Sequence, residues 1–273
     1  MFRKASVLLM MSVFLGLWAQ AAGQLTSQDV AERPRWEAFL RTAKIVRAEP
    51  LGEGVTKPKK LLLREGSIER SGVWKSPSGI GAGKTDKWEC EVAAYRMDKL
   101  LGVNMIPPTV ARRFRGRKGS LQLWMDFRCS ELERIENGWA IPQDKADETE
   151  KMFYLQRAFD SLVANADRTL QNLRFTQDWR LVLIDHSRCF RSSRIYTDQL
   201  LYGKYGMRKT KRFLRLPSTF VENVRTLTFE RIRKAVGSYL TYVEIEAILK
   251  RKKLLLREVD ELIAERGEES VLY

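Results

Sequence analysis

"NADRTLQNLRFTQDWRLVLIDHSRCF", residues 165–190, is the stretch on which the fold turns. Asp167 precedes Asn172 by five residues, in a polar segment directly after an amphipathic helical run over 148–166. "LRF" and "LVLI" then read as the arms of a tight hairpin with "TQDW" as its polar turn, and Asp185 stands at the end of the second arm. Asp and Asn at such a spacing also serve as ordinary turn and cap residues. What gives them chemical meaning is the apolar strand ending in "IDHS" at hairpin distance. One carboxylate facing an acceptor hydroxyl, with an amide and a second carboxylate holding divalent metal, is the arrangement phosphoryl transfer needs. That reaction asks for placement and charge stabilisation more than for covalent chemistry. Mg²⁺ takes oxygen ligands and keeps several waters, so one or two protein oxygens plus phosphate oxygens suffice.

The first half of the chain supplies complementary groups in a consistent order. "SGVWK" (71–75) ends a strand on Lys75, the place of a lysine that pairs the α- and β-phosphates. Sixteen residues later Glu91 lies in the first turns of the helix "DKWECEVAAYRMDKLL" (86–101), where it can meet that lysine. Glu89 competes for the role, but it lies about 200° round the helix, so one of the two faces the cleft. Upstream, "LGEGVT" (51–56) sits between two strands, and Gly52 and Gly54 there form a short loop able to fold over phosphates.

One other stretch competes for the nucleotide. "SPSGIGAGKT" (76–85) comes within one residue of the P-loop pattern, with Ser78 where its first glycine belongs. Pro77 interrupts the strand that would have to run directly into such a loop. The stretch therefore reads as a flexible connector between the lysine strand and the glutamate helix, near the mouth of the cleft.

The remaining elements follow from periodicity. A short amphipathic helix is expected over 27–43, strands over 44–51, 59–63 and 71–75, and two further strands in "VNMIPPTVARRF" and "SLQLWMDF". A polar connector over 128–148 reads as the lobe boundary. Three helices are expected between Ser218 and Arg266. The fold class is α+β with two lobes, the first rich in strands with one main helix and the second mostly helical. The expected divisions are 22–44 as a helical extension, 45–127 as the first lobe and 128–273 as the second.

Composition narrows the chemistry. The single histidine, His186, excludes most histidine-based zinc sites, and no G-x-S-x-G elbow accompanies it, so proton transfer falls to carboxylates or lysines. Three cysteines with no C-x-x-C pair describe no disulfide framework and leave at least one thiol unpaired. Arg3 and Lys4 followed by the uncharged run Ala5–Trp18 and by Ala19-Gln20-Ala21 read as a signal peptide over 1–21, or an uncleaved anchor, that exports the rest. The formal charge of +15 would suggest nucleic acid, but export argues against it and leaves acidic acceptors or an anionic membrane surface.

Two stretches together resemble a known group. "CEVAAYRMDKLLGVNMIPPTVARR" is similar to the helix-and-strand signature of the Golgi secretory casein kinases, with its glutamate, paired alanines, aromatic residue and "VPPTV"-like strand. "DSLVANADRTLQNLRF…LIDHSRCF" resembles the D-R-x-x-x-N and hairpin-Asp pattern of the wider atypical protein-kinase-like families, which include phosphatidylinositol kinases and HipA-type kinases. The resemblance spans roughly residues 45–190 and implies a two-lobed protein-kinase-like fold. It implies an exported enzyme that uses ATP, or another nucleoside triphosphate, with Mg²⁺ or Mn²⁺ to phosphorylate a hydroxyl of a protein, glycan or lipid. The alternative is a pseudokinase that binds nucleotide or a partner without turnover. By the same resemblance Lys75 and Glu91 form the phosphate-binding ion pair, Asp167 orients the hydroxyl, and Asn172 and Asp185 hold metal. Three departures stand out: Thr169 in place of the histidine of D-R-H, "DHS" in place of D-F-G or D-N-G, and two loop glycines instead of three.

Overall fold

The computed structural model describes residues 25–52, 57–81 and 84–273. The N-terminal leader, Gly54 and the tip of the near-P-loop at 82–83 lie outside those residues. Helix α1 (Ser27–Ala31) is closed by a reciprocal capping box between Thr26 and Asp29. Helix α2 (Arg33–Thr42) follows at once, with Pro34 in its first turn. The one helix expected over 27–43 is therefore two, because each start signal opens its own helix.

Strands β1 (Lys44–Pro50), β2 (Lys59–Glu65) and β3 (Ile68–Lys75) come next, then the short strands β4 (Ser78–Gly81) and β5 (Lys84–Lys87), helix α3 (Trp88–Leu101), and strands β6 (Thr109–Phe114) and β7 (Arg117–Leu123). Five of these strands form an antiparallel sheet in the order β1-β2-β3-β7-β6. Alternation puts Leu61 and Leu63 inward from β2, where they meet Trp74, Val110 and Leu121 and, from α2 and its end, Phe39, Leu40 and Ala43. The segment expected to be an extension thus closes the core of the sheet. Each large apolar side chain buried there contributes about 1.5–3 kcal/mol. Gly119 allows the strands to approach closely: a Cβ at that position would lie 2.3 Å from the Lys75 carbonyl oxygen and 2.8 Å from the Trp74 ring.

The segment 78–87 departs from the sequence-based expectation. It is no loose connector, because β4 and β5 pair as an antiparallel hairpin from Ser78↔Lys87 to Gly81↔Lys84. Its base is fixed by backbone bonds from Lys87 N–H to the Ser187 carbonyl at 2.9 Å and from Trp88 N–H to the Pro77 carbonyl at 3.0 Å. A stretch so rich in glycine carries no apolar alternation, so its pairing is invisible to periodicity.

The second lobe contains β8 (Cys129–Ser130), α4 (Glu131–Glu136), α5 (Ala146–Val163), β9 (Leu173–Phe175), β10 (Leu181–Leu183), α6 (Ser218–Arg225), α7 (Phe229–Val236), α8 (Tyr242–Arg266) and α9 (Glu268–Val271). The expected hairpin β9–β10 forms, pairing from Leu181↔Phe175 to Leu183↔Leu173, and β8 joins it as a third strand. The expected polar connector at 128–148 thus holds a strand and a helix. The signal for α4 is present in "SELE": Ser130 caps the helix and Glu133 returns the bond.

Ala93, Ala94, Met97 and Leu101 of α3 belong to the large core shared with α5, α6, α7 and α8, while the helix also packs on β6 and β7. Helix α3 therefore joins the lobes, which fixes Glu91 relative to the segments that follow α5. Gly102, at φ +69°, ends it in the left-handed conformation that a side chain would resist. Cys90, Cys129 and Cys189 are buried free thiols, and burial pushes the Cys90 thiol up to about 12. Among the described residues, no helix is long and apolar enough to cross a membrane.

Candidate active site

Lys75, Glu91 and Asp185 come from three separate elements and meet in one cluster. The Lys75 Nζ donates to Glu91 Oε1 at 2.8 Å and to Asp185 Oδ1 at 3.0 Å. Glu91, 3% exposed, is the glutamate the helix turns inward, while Glu89 remains half-buried on another face. Its second oxygen accepts the His186 backbone N–H at 2.9 Å. Burial raises the Glu91 carboxyl above its ordinary range, and the two donors, the Lys75 ammonium on one oxygen and the His186 amide on the other, oppose that shift. Burial likewise works against the Lys75 charge, but Asp185 and Glu91 outweigh it and raise its pKa. For Asp185, burial favours the neutral acid, yet the Lys75 ammonium prevails and holds the carboxyl well below the usual range. The Asp185 side chain remains 39% exposed, so an anionic oxygen group is open to solvent.

Backbone geometry sharpens this corner. Asp185 has φ +58° and Phe190 φ +63°, so the segment 185–190 is bounded by two left-handed residues that are not glycine. Such conformations cost on the order of 1–3 kcal/mol and persist where surrounding contacts over-determine them. Here the contacts are the His186 amide on Glu91 and the Phe190 N–H, which donates to the Val163 carbonyl at 2.6 Å.

Asn172 lies in a single 3₁₀ turn (Leu170–Asn172), and its carbonyl accepts the Ile184 N–H at 3.2 Å, which brings it beside the residue preceding Asp185. The helix before the loop ends at Ala164, φ +50°, and Asp167 follows at the surface with its side chain 34% exposed. Gly52 is at φ +71° in the turn after β1. The register Pro50↔Lys59↔Trp74 places that turn at the end of the sheet where Lys75 stands. Gly52 thus lies toward the Lys75 end of the sheet, and Asn172 beside the residue that precedes Asp185.

Several residues of the cluster carry no signal strong enough to be singled out in the sequence. Arg168 is buried and forms a bidentate pair with Asp160 of α5, at 2.9 and 3.0 Å. It also donates to the carbonyls of Ile184 (2.6 Å) and Asn172 (3.2 Å), tying the loop after α5 to the end of β10. Its Nη2 lies 2.9 Å from His186 Nε2. Burial and the neighbouring Arg168 cation push the His186 pKa well below its ordinary value, so the ring is neutral and its Nε2 is the acceptor of that bond. Arg188 contacts both Asp86 of β5 and Asp167. Two hints stand in the sequence: Arg168 is the arginine of the D-R-x-x-x-N pattern, and Asp160 is a carboxylate on the buried face of α5, where an acid needs a partner.

No protein-family model matches this chain, and no curated protein matches it by sequence. Its fold is similar to those of solved kinase structures. Hydra Fam20 with sugar superposes with a TM-score of 0.65 at 16% identity, over 92% of this chain and 95% of that one. The Golgi casein kinase with Mn/ADP bound gives 0.62 at 13% identity, over 92% and 80%. The Helicobacter pylori proinflammatory kinase CtkA gives 0.52 at 11% identity, over 84% and 97%. The fold is therefore the two-lobed atypical protein-kinase-like fold, of class α+β.

Proposed function

We propose that this chain is an atypical kinase, moving the γ-phosphoryl group of a nucleoside triphosphate to a hydroxyl of a protein, glycan or lipid. The observation that carries the reading is the Lys75 ammonium held between Glu91 and Asp185 at 2.8 and 3.0 Å. Lys75 would pair the α- and β-phosphates, with Glu91 holding its ammonium in place. Asp167 would accept or orient the acceptor hydroxyl, and Gly52 and Gly54 would close over the phosphates.

The donors present fit Mg²⁺ or Mn²⁺. Asp185 offers an ionised hard oxygen toward the cleft, and the Asn172 carbonyl bond to Ile184 sets the amide residue next to it. Among the described residues, no group of three or more His, Cys, Asp or Glu could hold a metal. Few protein ligands are what Mg²⁺ requires when phosphate oxygens and water complete its shell. Asp185 and Asn172 would hold it, and its charge would neutralise the β- and γ-phosphate oxygens. The Mn/ADP complex of a structural neighbour agrees with this choice. Export through the N-terminal leader would place the enzyme among secretory kinases, with acidic acceptors or an anionic membrane surface matching its basic clusters and no role for nucleic acid.

The test is thermal unfolding with and without ATP and Mn²⁺, in the wild type and in Asp185→Ala. Nucleotide at 100 times its Kd adds about 2.7 kcal/mol, which is roughly 5–11 °C at 2–4 °C per kcal/mol for a chain of this size. A shift that needs Mn²⁺ and disappears in Asp185→Ala supports the site, and phosphotransfer lost in Asp167→Ala supports the activity. A shift without any phosphotransfer identifies the nucleotide-binding pseudokinase instead, and no shift leaves only a pseudokinase that binds a partner.

A further inference from the structure

Asp86 and Arg188 have no part in the assignment above, yet they make some of the best-formed polar contacts of the cluster. Asp86 is the penultimate residue of β5 and is 5% exposed. A carboxylate so buried is costly unless donors surround it. Three donors do: Arg188 Nε at 2.9 Å and Ser187 Oγ at 2.7 Å on Oδ1, and Arg188 Nη2 at 3.1 Å on Oδ2. The opposite arm of the same guanidinium, Nη1, donates to Asp167 Oδ2 at 2.6 Å. A guanidinium is planar, so seating one edge on a carboxylate fixes the direction in which the remaining nitrogen points. The chain link is tight as well, since the Lys87 N–H donates to the Ser187 carbonyl at 2.9 Å.

We infer that Arg188, seated on Asp86, is a positioning residue that sets the orientation of the Asp167 carboxylate. What Asp167 does with that orientation rests on the phosphoryl-transfer reading above; the tether itself does not. The hairpin that imitates a P-loop then has a place in the site. It serves the catalytic loop by supplying an acidic seat for Arg188 across 102 residues of sequence. An N-lobe element thereby aims a C-lobe carboxylate, and a shift of the hairpin would be felt at Asp167.

The experiment uses the full chain with ATP and Mn²⁺ as probes and water as acceptor. Water's oxygen bonds the γ-phosphorus as the bond to the bridging oxygen breaks, releasing ADP, phosphate and a proton. Asp86→Asn keeps the shape of the seat and removes its charge. Arg188→Lys keeps a cation that cannot span both carboxylates. Each lowers kcat by about 10²-fold, the scale of an ångström-sized misplacement, with KM for ATP unchanged because Lys75, Glu91 and Asp185 are untouched. An unaltered kcat, or a rise in KM matching the fall in kcat, overturns the positioning role. A second arm needs no activity: a double-mutant cycle in Tm between Asp86→Asn and Asp167→Asn. Residues that share one guanidinium give effects that do not add, and additive effects overturn the tether. A wild type that hydrolyses no ATP but shows the non-additive cycle keeps the tether and shows that Asp167, so held, does not activate water. Hydrolysis with an additive cycle removes the tether and leaves the phosphoryl-transfer reading standing.

Discussion

In the hairpin β9–β10, Leu173, Phe175, Leu181 and Leu183 are all buried, and the Phe175 ring packs against Phe153 and Trp179 at centroid distances of 6.2 and 5.5 Å. The hairpin β4–β5 reaches the same site from the other lobe and is held by polar contacts: Lys87 N–H to the Ser187 carbonyl, and Asp86 to Ser187 and Arg188. One hairpin is driven by burial, which any nearby apolar surface rewards. The other is anchored by a few directional bonds to one particular loop, so its place in the fold depends on that loop. The first delivers Asp185 and the second delivers Asp86.

The largest effect is expected from removing the apolar support. Phe175→Ala, at a fully buried position, costs about 3–5 kcal/mol by denaturant unfolding. A loss below about 1 kcal/mol would mean that burial does not govern this hairpin.

A comparable loss, also about 3–5 kcal/mol, is expected for Arg168→Met, which leaves Asp160 buried without its cation. Replacing both, with Asp160→Leu added, should recover part of it. A double variant no better than the single one would show that the pair is not what the position needs.

Gly119→Ala tests the close strand approach beside Lys75. The added Cβ has no space, so the strands must separate at a cost of about 1–3 kcal/mol. ATP affinity should fall with stability, since Lys75 moves with its strand.

Ser187→Ala, which removes one donor to Asp86, should cost about 1 kcal/mol. Hydrogen exchange at the Lys87 amide should quicken while the β9–β10 amides keep their protection. Equal acceleration in both hairpins would erase the contrast between them.

The smallest effect concerns pH. Asp185 has its carboxyl pKa depressed in the folded state, so its contribution to stability is present above the unfolded carboxylate pKa of about 3.9 and fades as pH falls toward the folded value. The Tm difference between wild type and Asp185→Asn should therefore be constant from about pH 7 to 5 and shrink below about pH 4. A difference that grows as the solution is acidified would contradict the Lys75–Asp185 pairing.

The positions of the proposed residues are legible in the chain itself. Lys75, Glu91, Asp167, Asn172 and Asp185 each sit at a position set by a local element: a strand end, the first turns of a helix, the loop after an amphipathic run, the end of a hairpin arm. The periodicity of α3 cannot choose between Glu89 and Glu91, because either face of a short helix can turn inward; packing against both lobes makes the choice. The hairpin at 78–87 is hidden because glycine, serine and threonine carry no burial pattern. Helix α4 is hidden although its capping signal stands in the sequence, because the polar composition of its surroundings outweighs that signal.

By itself the sequence determined the order of the elements that carry apolar periodicity and the order of the chemical groups along them. Apolar periodicity and turn residues act over a few positions and are read directly from the chain. Only the tertiary structure decided which charge meets which. Asp86 and Arg188 are 102 residues apart, Lys75 and Asp185 are 110 apart, and Glu91 meets the His186 amide across 95. Ion pairs and hydrogen bonds depend on distances of about 3 Å and on direction, and no local pattern encodes those. The chain carries 49 basic and 34 acidic side chains, and the packing of α3 between the lobes helps select the few that meet at Lys75.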